Sequence, residues 1–231
     1  MQTENNNKPL IGADNNALIA VVSINLVIAA TLGLIRMIYY LEGLTLLQYE
    51  TEVFQRVVLY PQKIITQPWT IFTFNWVNDG FWVLFTQLFW FAVFANVLQN
   101  KASNKHIFPI YFYTGLVTAL IYCLIGTTGP LLGANVGVIS VALAAMVVAP
   151  KYTLLSKIAG GIQVWVVALF YLVATGYALA SNNWQTTTTI ILGGFTGALY
   201  MKLVKKGIDL GSWMHQLIQK LNNSLTPKNN G

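Results

Sequence analysis

Six long apolar segments most strongly constrain how this chain can fold. They cover residues 17–35 (extending toward 41), 81–98, 107–126, 131–149, 162–180 and 187–204. A helix needs about 20 mostly apolar residues to cross a bilayer. Within lipid, a helix is favoured because it satisfies its backbone hydrogen bonds internally. The pattern therefore predicts an all-α, polytopic membrane protein with six transmembrane helices.

The composition supports a membrane protein and argues against other classes. Hydrophobic residues make up 55% of the 231 residues and charged residues only 9%, whereas about a quarter of a soluble domain is charged. The net charge is +6, but no basic–aromatic patch indicates a nucleic-acid partner. No cluster of cysteine, histidine and acidic residues has metal-ligand spacing. We expect no nucleic acid, metal or other cofactor.

Lysines in the connections between segments indicate the orientation in the membrane. The connections after the third and fifth segments carry no charge. Lysines follow the second, fourth and sixth segments: Lys101, Lys105, Lys151, Lys157, Lys202, Lys205 and Lys206. Because positively charged loops stay on the cytoplasmic side, we predict that both termini are cytoplasmic and that residues 42–80 form a long outer loop. We expect the membrane to be a bacterial inner (plasma) membrane.

The segments divide the chain into three regions. Residues 1–16 form a polar cytoplasmic tail, residues 17–206 the six-helix membrane domain, and residues 207–231 a cytoplasmic amphipathic helix followed by a disordered tail. Apolar residues within 208–221 recur at helical spacing, which favours a helix on the membrane surface. Similar spacing within 42–80 indicates either an interfacial helix or an ordinary ordered loop.

Short sequence strings within this framework carry a family resemblance. The outer loop contains Gln67-Pro68-Trp69-Thr70, the fourth segment begins Leu131-Leu132-Gly133-Ala134, and the sixth contains Leu192-Gly193-Gly194. In their order and spacing, over about residues 67–203, these strings resemble the rhomboid family. The resemblance implies a six-helix bundle and, for the family, the activity of a serine-type intramembrane endopeptidase.

Five glycines in and near these strings are expected to mediate helix packing. Helices in lipid associate by close contact, which small residues permit. The glycines are Gly133 and Gly137 in the fourth segment and Gly193, Gly194 and Gly197 in the sixth. The resemblance implies that they bring these two segments together. Ordinary small-residue packing, as in any helix bundle, is the alternative.

The resemblance also implies a catalytic serine and histidine, and neither is present. Asn135 occupies the serine position and Ile191 the histidine position. Val83 and Gln87 stand where the family has a histidine and an asparagine that stabilise the oxyanion. A nucleophile must be activated by a base within hydrogen-bond reach, and isoleucine cannot accept a proton. We therefore predict that no catalytic residue remains and that the protein is not an enzyme.

Other side chains do not replace the missing pair. His106 and His215 are the two histidines, and both fall in segments predicted to be cytoplasmic, whereas the rhomboid site opens to the outer side. Ser140 lies about 140° around the helix from Asn135 at 3.6 residues per turn. We expect its hydroxyl to bond a backbone carbonyl one turn back.

The remaining polar residues favour a binding role. Asn78, Gln87 and Asn135 are predicted to face one water-accessible cavity, or else to link helices by hydrogen bonds of about 1 kcal/mol. The leading hypothesis is a rhomboid-like pseudoprotease that lies among membrane lipids and binds transmembrane helices of unidentified client proteins without cleaving them. The alternatives are an active protease with non-standard residues and a small transporter, although the segments hold almost no titratable group for a proton pathway.

Overall fold

The protein is a bundle of helices. The computed structural model describes residues 16–154, 161–180, 183–214, 216–217 and 220. Its helices are α1 (Asn16–Leu41), α2 (Leu46–Glu52), α3 (Thr70–Thr73), α4 (Phe81–Lys101), α5 (Ile107–Ile125), α6 (Asn135–Val148), α7 (Val164–Ala180) and α8 (Trp184–Lys205). Short 3-10 turns occur at Phe54–Arg56, Pro61–Lys63, Phe74–Trp76 and Asn104–His106.

Four of the long helices meet the requirements for crossing a membrane. In the described part of the chain, α1, α4, α5 and α8 are long and apolar enough. Helices α6 and α7 are equally apolar but have only 14 and 17 residues. The six apolar segments thus form six helices, but length and composition support only four of them as full spans.

The start of α6 differs from the sequence prediction. Residues 131–134 precede the helix, although they were predicted to belong to it. Leu131 instead forms an antiparallel bridge with Leu59 of the outer loop. Gly133 has a φ of +109°, and its N–H donates to the carbonyl of Phe74 at 3.1 Å. This segment is therefore held by the outer loop, and the helix begins at Asn135.

Helix α6 lies at the centre of the bundle. All its residues from 136 to 145 are buried, and α4, α5, α7 and α8 all contact it. A helix that is apolar all round is buried on every side. Because neighbouring helices enclose α6, every face of this helix can be apolar. For the same reason, the helix can be shorter than the thickness of the bilayer.

The glycines allow close contacts within this core, but not all between the predicted pair of helices. A Cβ on Gly194 would collide with Ile139 of α6, and a Cβ on Gly197 with Ser140 of α6. Gly137 instead faces the ring of Tyr111 on α5, and Gly193 faces Thr118 on α5. Helix α5 therefore shares in the small-residue packing that the resemblance assigned to α6 and α8 alone, and Gly133 lies outside the helices.

The outer loop contains two short helices, α2 and α3, rather than a long one. Helix α2 has seven residues and starts with a capping box between Thr45 and Gln48, an arrangement that satisfies free N–H groups at a helix start. The ring of Tyr49 is buried, while Leu46 is exposed. Between the two helices, the indole of Trp69 donates to the Arg56 carbonyl at 2.7 Å. The structure therefore combines short helices with an ordered loop.

Residues 1–15 of the first predicted tail lie outside the described residues. Of the predicted region 207–231 the structure describes 207–214, 216–217 and 220, and among these residues 212–214, 216–217 and 220 are helical; His215 and Ile218 lie outside. Between α6 and α7, a small hairpin pairs β1 (Thr153–Leu154) with β2 (Ile162–Gln163) in antiparallel register. It is a minor departure from the predicted all-α class. The hairpin matters here because it closes one side of a groove on the bundle surface.

Candidate functional site

Two amide side chains meet where α6 begins. Asn135 is the first residue of α6 and is half-buried, and Gln87 on α4 is only 3% exposed. A Cβ built on Gly133 would lie 3.6 Å from Nδ2 of Asn135 and 3.8 Å from Nε2 of Gln87. Because Gly133 has no side chain, both amides can approach the same point of the backbone. The structure thus brings two of the three predicted cavity residues together.

Asn78, the third predicted residue, joins this site from the outer loop. Its Oδ1 accepts a hydrogen bond from the N–H of Ala134 at 3.3 Å. Its Nδ2 donates to Oδ1 of Asn25 at 3.3 Å, and Asn25 in turn donates to the carbonyl of Val21 at 2.9 Å. Asn78 therefore links α1 to the start of α6 and satisfies one of the free N–H groups that every helix start exposes.

Asn25 was not among the residues singled out from the sequence. It is fully buried on α1, within an otherwise apolar segment. The signal was present, since a polar residue in the middle of a membrane helix marks either function or helix contact. Its partner could not be read from the sequence, because 53 positions separate it from Asn78.

Two buried carbonyl oxygens near the site have no hydrogen-bond partner among the described residues. They are Oε1 of Gln87 and Oδ1 of Asn75. Two other hydrogen bonds join Asn75 to α5. Its Nδ2 donates to the backbone carbonyl of Tyr111 at 3.3 Å, and the hydroxyl of Tyr111 donates to the backbone carbonyl of Asn75 at 2.7 Å. An unpaired buried acceptor is costly. Gln87 therefore presents an acceptor beside Asn135 that a hydrogen-bond donor would stabilise.

The isoleucine that faces α6 is Ile190 rather than Ile191. Helices α6 and α8 run in the same direction, since Gly194 in the middle of α8 contacts Ile139 and Lys205 at its end donates to the Val147 carbonyl. Extending this register back by one turn, four residues on each helix, pairs Ile190 with Asn135.

The exposure of the two isoleucines agrees with this register. Ile190 is 1% exposed. Ile191 points toward α7, where its Cδ1 would be 3.4 Å from a Cβ on Gly176. Ile191, which the resemblance places at the histidine position, therefore faces α7, and its neighbour Ile190 points about 100° around the helix from it. Either residue leaves the position without a base.

Val83 does not line the site either. Its side chain is 43% exposed on α4, whereas Gln87, one turn later, is buried. Of the two residues at the predicted oxyanion positions, only Gln87 lies near Asn135. At the two predicted oxyanion positions, the donor that lies near Asn135 is the neutral side-chain amide of Gln87.

His106 lies at the opposite end of the bundle from Asn135. It precedes α5, while Asn135 follows the loop after α5, and the 19 residues of that helix span about 28 Å. The imidazole Nδ1 is 3.3 Å from the hydroxyl of Tyr200 and 3.9 Å from Oδ1 of Asp209. His106 therefore cannot serve as a base for a group on Asn135.

Ser140 is occupied by a neighbour on another helix. Its hydroxyl lies 2.5 Å from the hydroxyl of Thr114 on α5, and both side chains are fully buried. The prediction of a bond to a carbonyl of its own helix is wrong, because α5 approaches closely enough to supply a polar partner. The pair thus joins α5 to α6 by a buried hydrogen bond.

The family model described as "Rhomboid domain" matches residues 66–206, more than half of the chain. The chain belongs to the rhomboid family. The resemblance drawn from residues 67–203 is thereby confirmed, and the rhomboid match together with the apolar helices makes this an integral, multi-pass membrane protein. A comparison with curated proteins gives no match.

The rhomboid match includes every residue of the amide site except Asn25. It starts within the outer loop and ends beyond α8, so α1 and α2 lie before it. Asn25 thus connects the matched region to a helix that precedes it. At the centre of this rhomboid domain the described side chains offer neutral hydrogen-bond donors and acceptors, but no paired nucleophile and base.

Proposed function

We propose that this protein is a rhomboid-like pseudoprotease of a bacterial inner membrane, which binds transmembrane segments of client proteins without cleaving them. The proposal rests on Asn135 at the position where the family has a serine, and on isoleucine, Ile191 by the resemblance or its neighbour Ile190, where the family has a histidine. The side-chain amide of asparagine is not a nucleophile that a base can activate for attack on a peptide bond. Isoleucine has no group that accepts a proton, so it cannot be that base.

The same site is suited to binding. Gln87 has an unpaired carbonyl oxygen, and the amides of Gln87 and Asn135 converge beside Gly133. Asparagine and glutamine side chains form hydrogen bonds between membrane helices, each worth about 1 kcal/mol. A client helix with a polar side chain or an irregular backbone would form hydrogen bonds with these amides and would not be cleaved.

Crosslinking in living cells tests the binding role. A photoreactive amino acid at Asn135 is expected to capture a small, reproducible set of membrane proteins. Asn135 is preferable to Gln87 because it is only half-buried and tolerates a larger side chain. The matched control is Phe85 on the exposed face of α4. Equal capture from both positions, or none from Asn135, would contradict client binding at this site.

Incubation of the purified protein with transmembrane substrates tests the absence of catalysis. We expect neither cleavage nor labelling by a serine-reactive fluorophosphonate. Cleavage that disappears in Asn135→Ala would show that the site is catalytic after all. Labelling that disappears in Ser140→Ala would instead reveal an unforeseen nucleophile, and either result would replace the pseudoprotease proposal with that of a hydrolase.

A further inference from the structure

A groove on the side of the bundle lies away from the amide site. It has a volume of about 750 Å³ and is bounded by α1, α4, α7 and the small hairpin. Its walls are almost entirely apolar, and they include Leu18, Phe89, Trp90, Val93, Val166 and Phe170. The hairpin contributes Leu154 and Ile162. A surface of this kind accepts hydrocarbon readily.

Polar and basic residues follow the groove lining toward the end of α4. Asn96 lines the groove, and its Oδ1 accepts a hydrogen bond from Nδ2 of Asn100 at 3.2 Å. Helix α4 ends directly afterwards at Lys101, whose ammonium lies 5.1 Å from the centre of the Tyr152 ring. The exposed Lys151 adjoins that ring in sequence.

The hairpin holds these basic residues next to the apolar walls. The carbonyl of Tyr152 accepts the N–H of Val164 at 2.8 Å, and Leu154 pairs with Ile162. Tyr152 is thereby joined to the start of α7, two residues before Val166 of the groove wall. Along α4 and the hairpin, the apolar walls of the groove are therefore followed by the amides of Asn96 and Asn100 and then by the lysines.

We propose that this groove binds an anionic phospholipid. Its acyl chains lie along the apolar walls, its glycerol and ester groups meet Asn96 and Asn100, and its phosphate lies between Lys101 and Lys151. The length fits one leaflet, because the 12 residues from Phe89 to Lys101 rise about 18 Å and half the hydrocarbon core is about 15 Å thick. Basic pockets beside membrane helices bind anionic head groups in this way.

The charge beside the groove favours an anionic lipid over an apolar helix. Lys101 and Lys151 have no acidic partner among the described salt bridges, which suits an anionic head group.

Native mass spectrometry of the full-length protein tests the proposal. The protein in detergent is titrated with palmitoyl-oleoyl phosphatidylglycerol or with the zwitterionic phosphatidylcholine of the same chains. We expect one retained phosphatidylglycerol, bound more tightly than phosphatidylcholine. In Lys101→Gln/Lys151→Gln the affinity for phosphatidylglycerol falls about fivefold for each lysine, while that for phosphatidylcholine stays the same. The control Lys202→Gln/Lys206→Gln, at the end of α8, leaves both unchanged.

A second variant tests the apolar part of the groove. Val93→Trp fills the groove and is expected to weaken retention of both lipids, with elution and thermal unfolding checked against the wild type. The proposal is overturned if the lysine pair can be removed without loss of the preference for phosphatidylglycerol, or if the control variant loses it equally. A co-purifying polypeptide or a dimer that disappears in Val93→Trp would assign the groove to a protein partner and overturn it as well.

Discussion

At residue 137, the lack of a side chain decides how closely α5 can approach α6. The ring of Tyr111 lies where a Cβ of Gly137 would be, and its Cζ would be 2.9 Å away. The same tyrosine donates its hydroxyl to the carbonyl of Asn75. Tyr111 therefore joins the core of the bundle to the segment that leads into the amide site.

Gly137→Ala is expected to destabilise the protein by about 1–3 kcal/mol, because overpacking a tight core forces its neighbours to move. Thermal unfolding in detergent measures the change. Gly33→Ala is the matched control, since a Cβ on this helical glycine of α1 meets nothing within 4 Å, and alanine is the better helix former. A loss of stability in Gly33→Ala as large as that in Gly137→Ala would contradict the packing explanation.

At the level of helices, the register of α8 against α6 determines which residue meets Asn135. The contact between Gly194 and Ile139 places Ile190 there, and Ile191 faces α7. Rebuilding the family's nucleophile and base tests this register directly. We expect Asn135→Ser/Ile190→His to react with a fluorophosphonate faster than Asn135→Ser/Ile191→His, because a positioned base accelerates reactions roughly 10²–10⁴-fold.

The labelling rates are compared with that of Asn135→Ser alone, which lacks a base in the site. Equal rates for the two double variants would contradict the register. A faster reaction with histidine at position 191 would show that Ile191 stands at the family's histidine position. Because position 135 is serine in all three variants, differences in rate report how α8 is placed against α6.

The segment after α8 is attached to the bundle through Asp209. Its Oδ1 accepts hydrogen bonds from the N–H of Gly211 and the hydroxyl of Tyr200, both at 3.0 Å, and its Oδ2 is 3.3 Å from the ammonium of Lys105. Burial opposes ionisation of this carboxyl, but these hydrogen bonds and the nearby His106 hold the pKa of Asp209 below its ordinary value of 3.8.

This attachment is expected to weaken in acid. Because the pKa of Asp209 is lower in the folded protein than in the unfolded chain, its contribution is complete above the ordinary value of 3.8 and is lost as the pH falls through the folded value. Hydrogen exchange of residues 207–214, corrected for intrinsic rates, measures the loss. Asp209→Asn should expose the segment at neutral pH, whereas Asp79→Asn in the outer loop should not. Unchanged protection in Asp209→Asn would rule out this role.

Across the whole molecule, the described lysines of the connections after α4, α6 and α8 lie at one end of the bundle, whereas Arg36, Arg56 and Lys63 lie at or near the outer loop. Lys101 contacts Tyr152, Lys105 pairs with Asp209, and Lys205 donates to the Val147 carbonyl. The amide site and the outer loop lie at the other end. This distribution is the one that the positive-inside rule associates with a cytoplasmic and an outer face, and it supports the predicted orientation.

Cysteine labelling tests that orientation. In a Cys123→Ser background, Thr128→Cys in the loop before α6 is expected to react with a membrane-impermeant maleimide in intact spheroplasts. Lys151→Cys and Lys206→Cys should react only after the membrane is opened. All three positions are exposed, so differences in labelling report sidedness. The reverse pattern would place the amide site on the cytoplasmic side.

The sequence by itself determined the membrane class, the rhomboid family and the central amide. Long apolar segments leave few alternatives, because a backbone in lipid must satisfy its own hydrogen bonds. The string around Gly133 then located Asn135 without any structure. All three conclusions depend on residue type and order along the chain, and none requires knowledge of which way a side chain points.

Only the tertiary structure decided which residues meet. Apolar residues face both the lipid and the core, so hydropathy gives little indication of the inner face of a helix in a membrane. That is why the sequence did not indicate that Ile191 faces α7, and why it did not indicate the link from Asn25 to Asn78. The start of α6 was also set from outside the helix, since Leu131 pairs with Leu59. These contacts join distant parts of the chain, and packing alone brings them together.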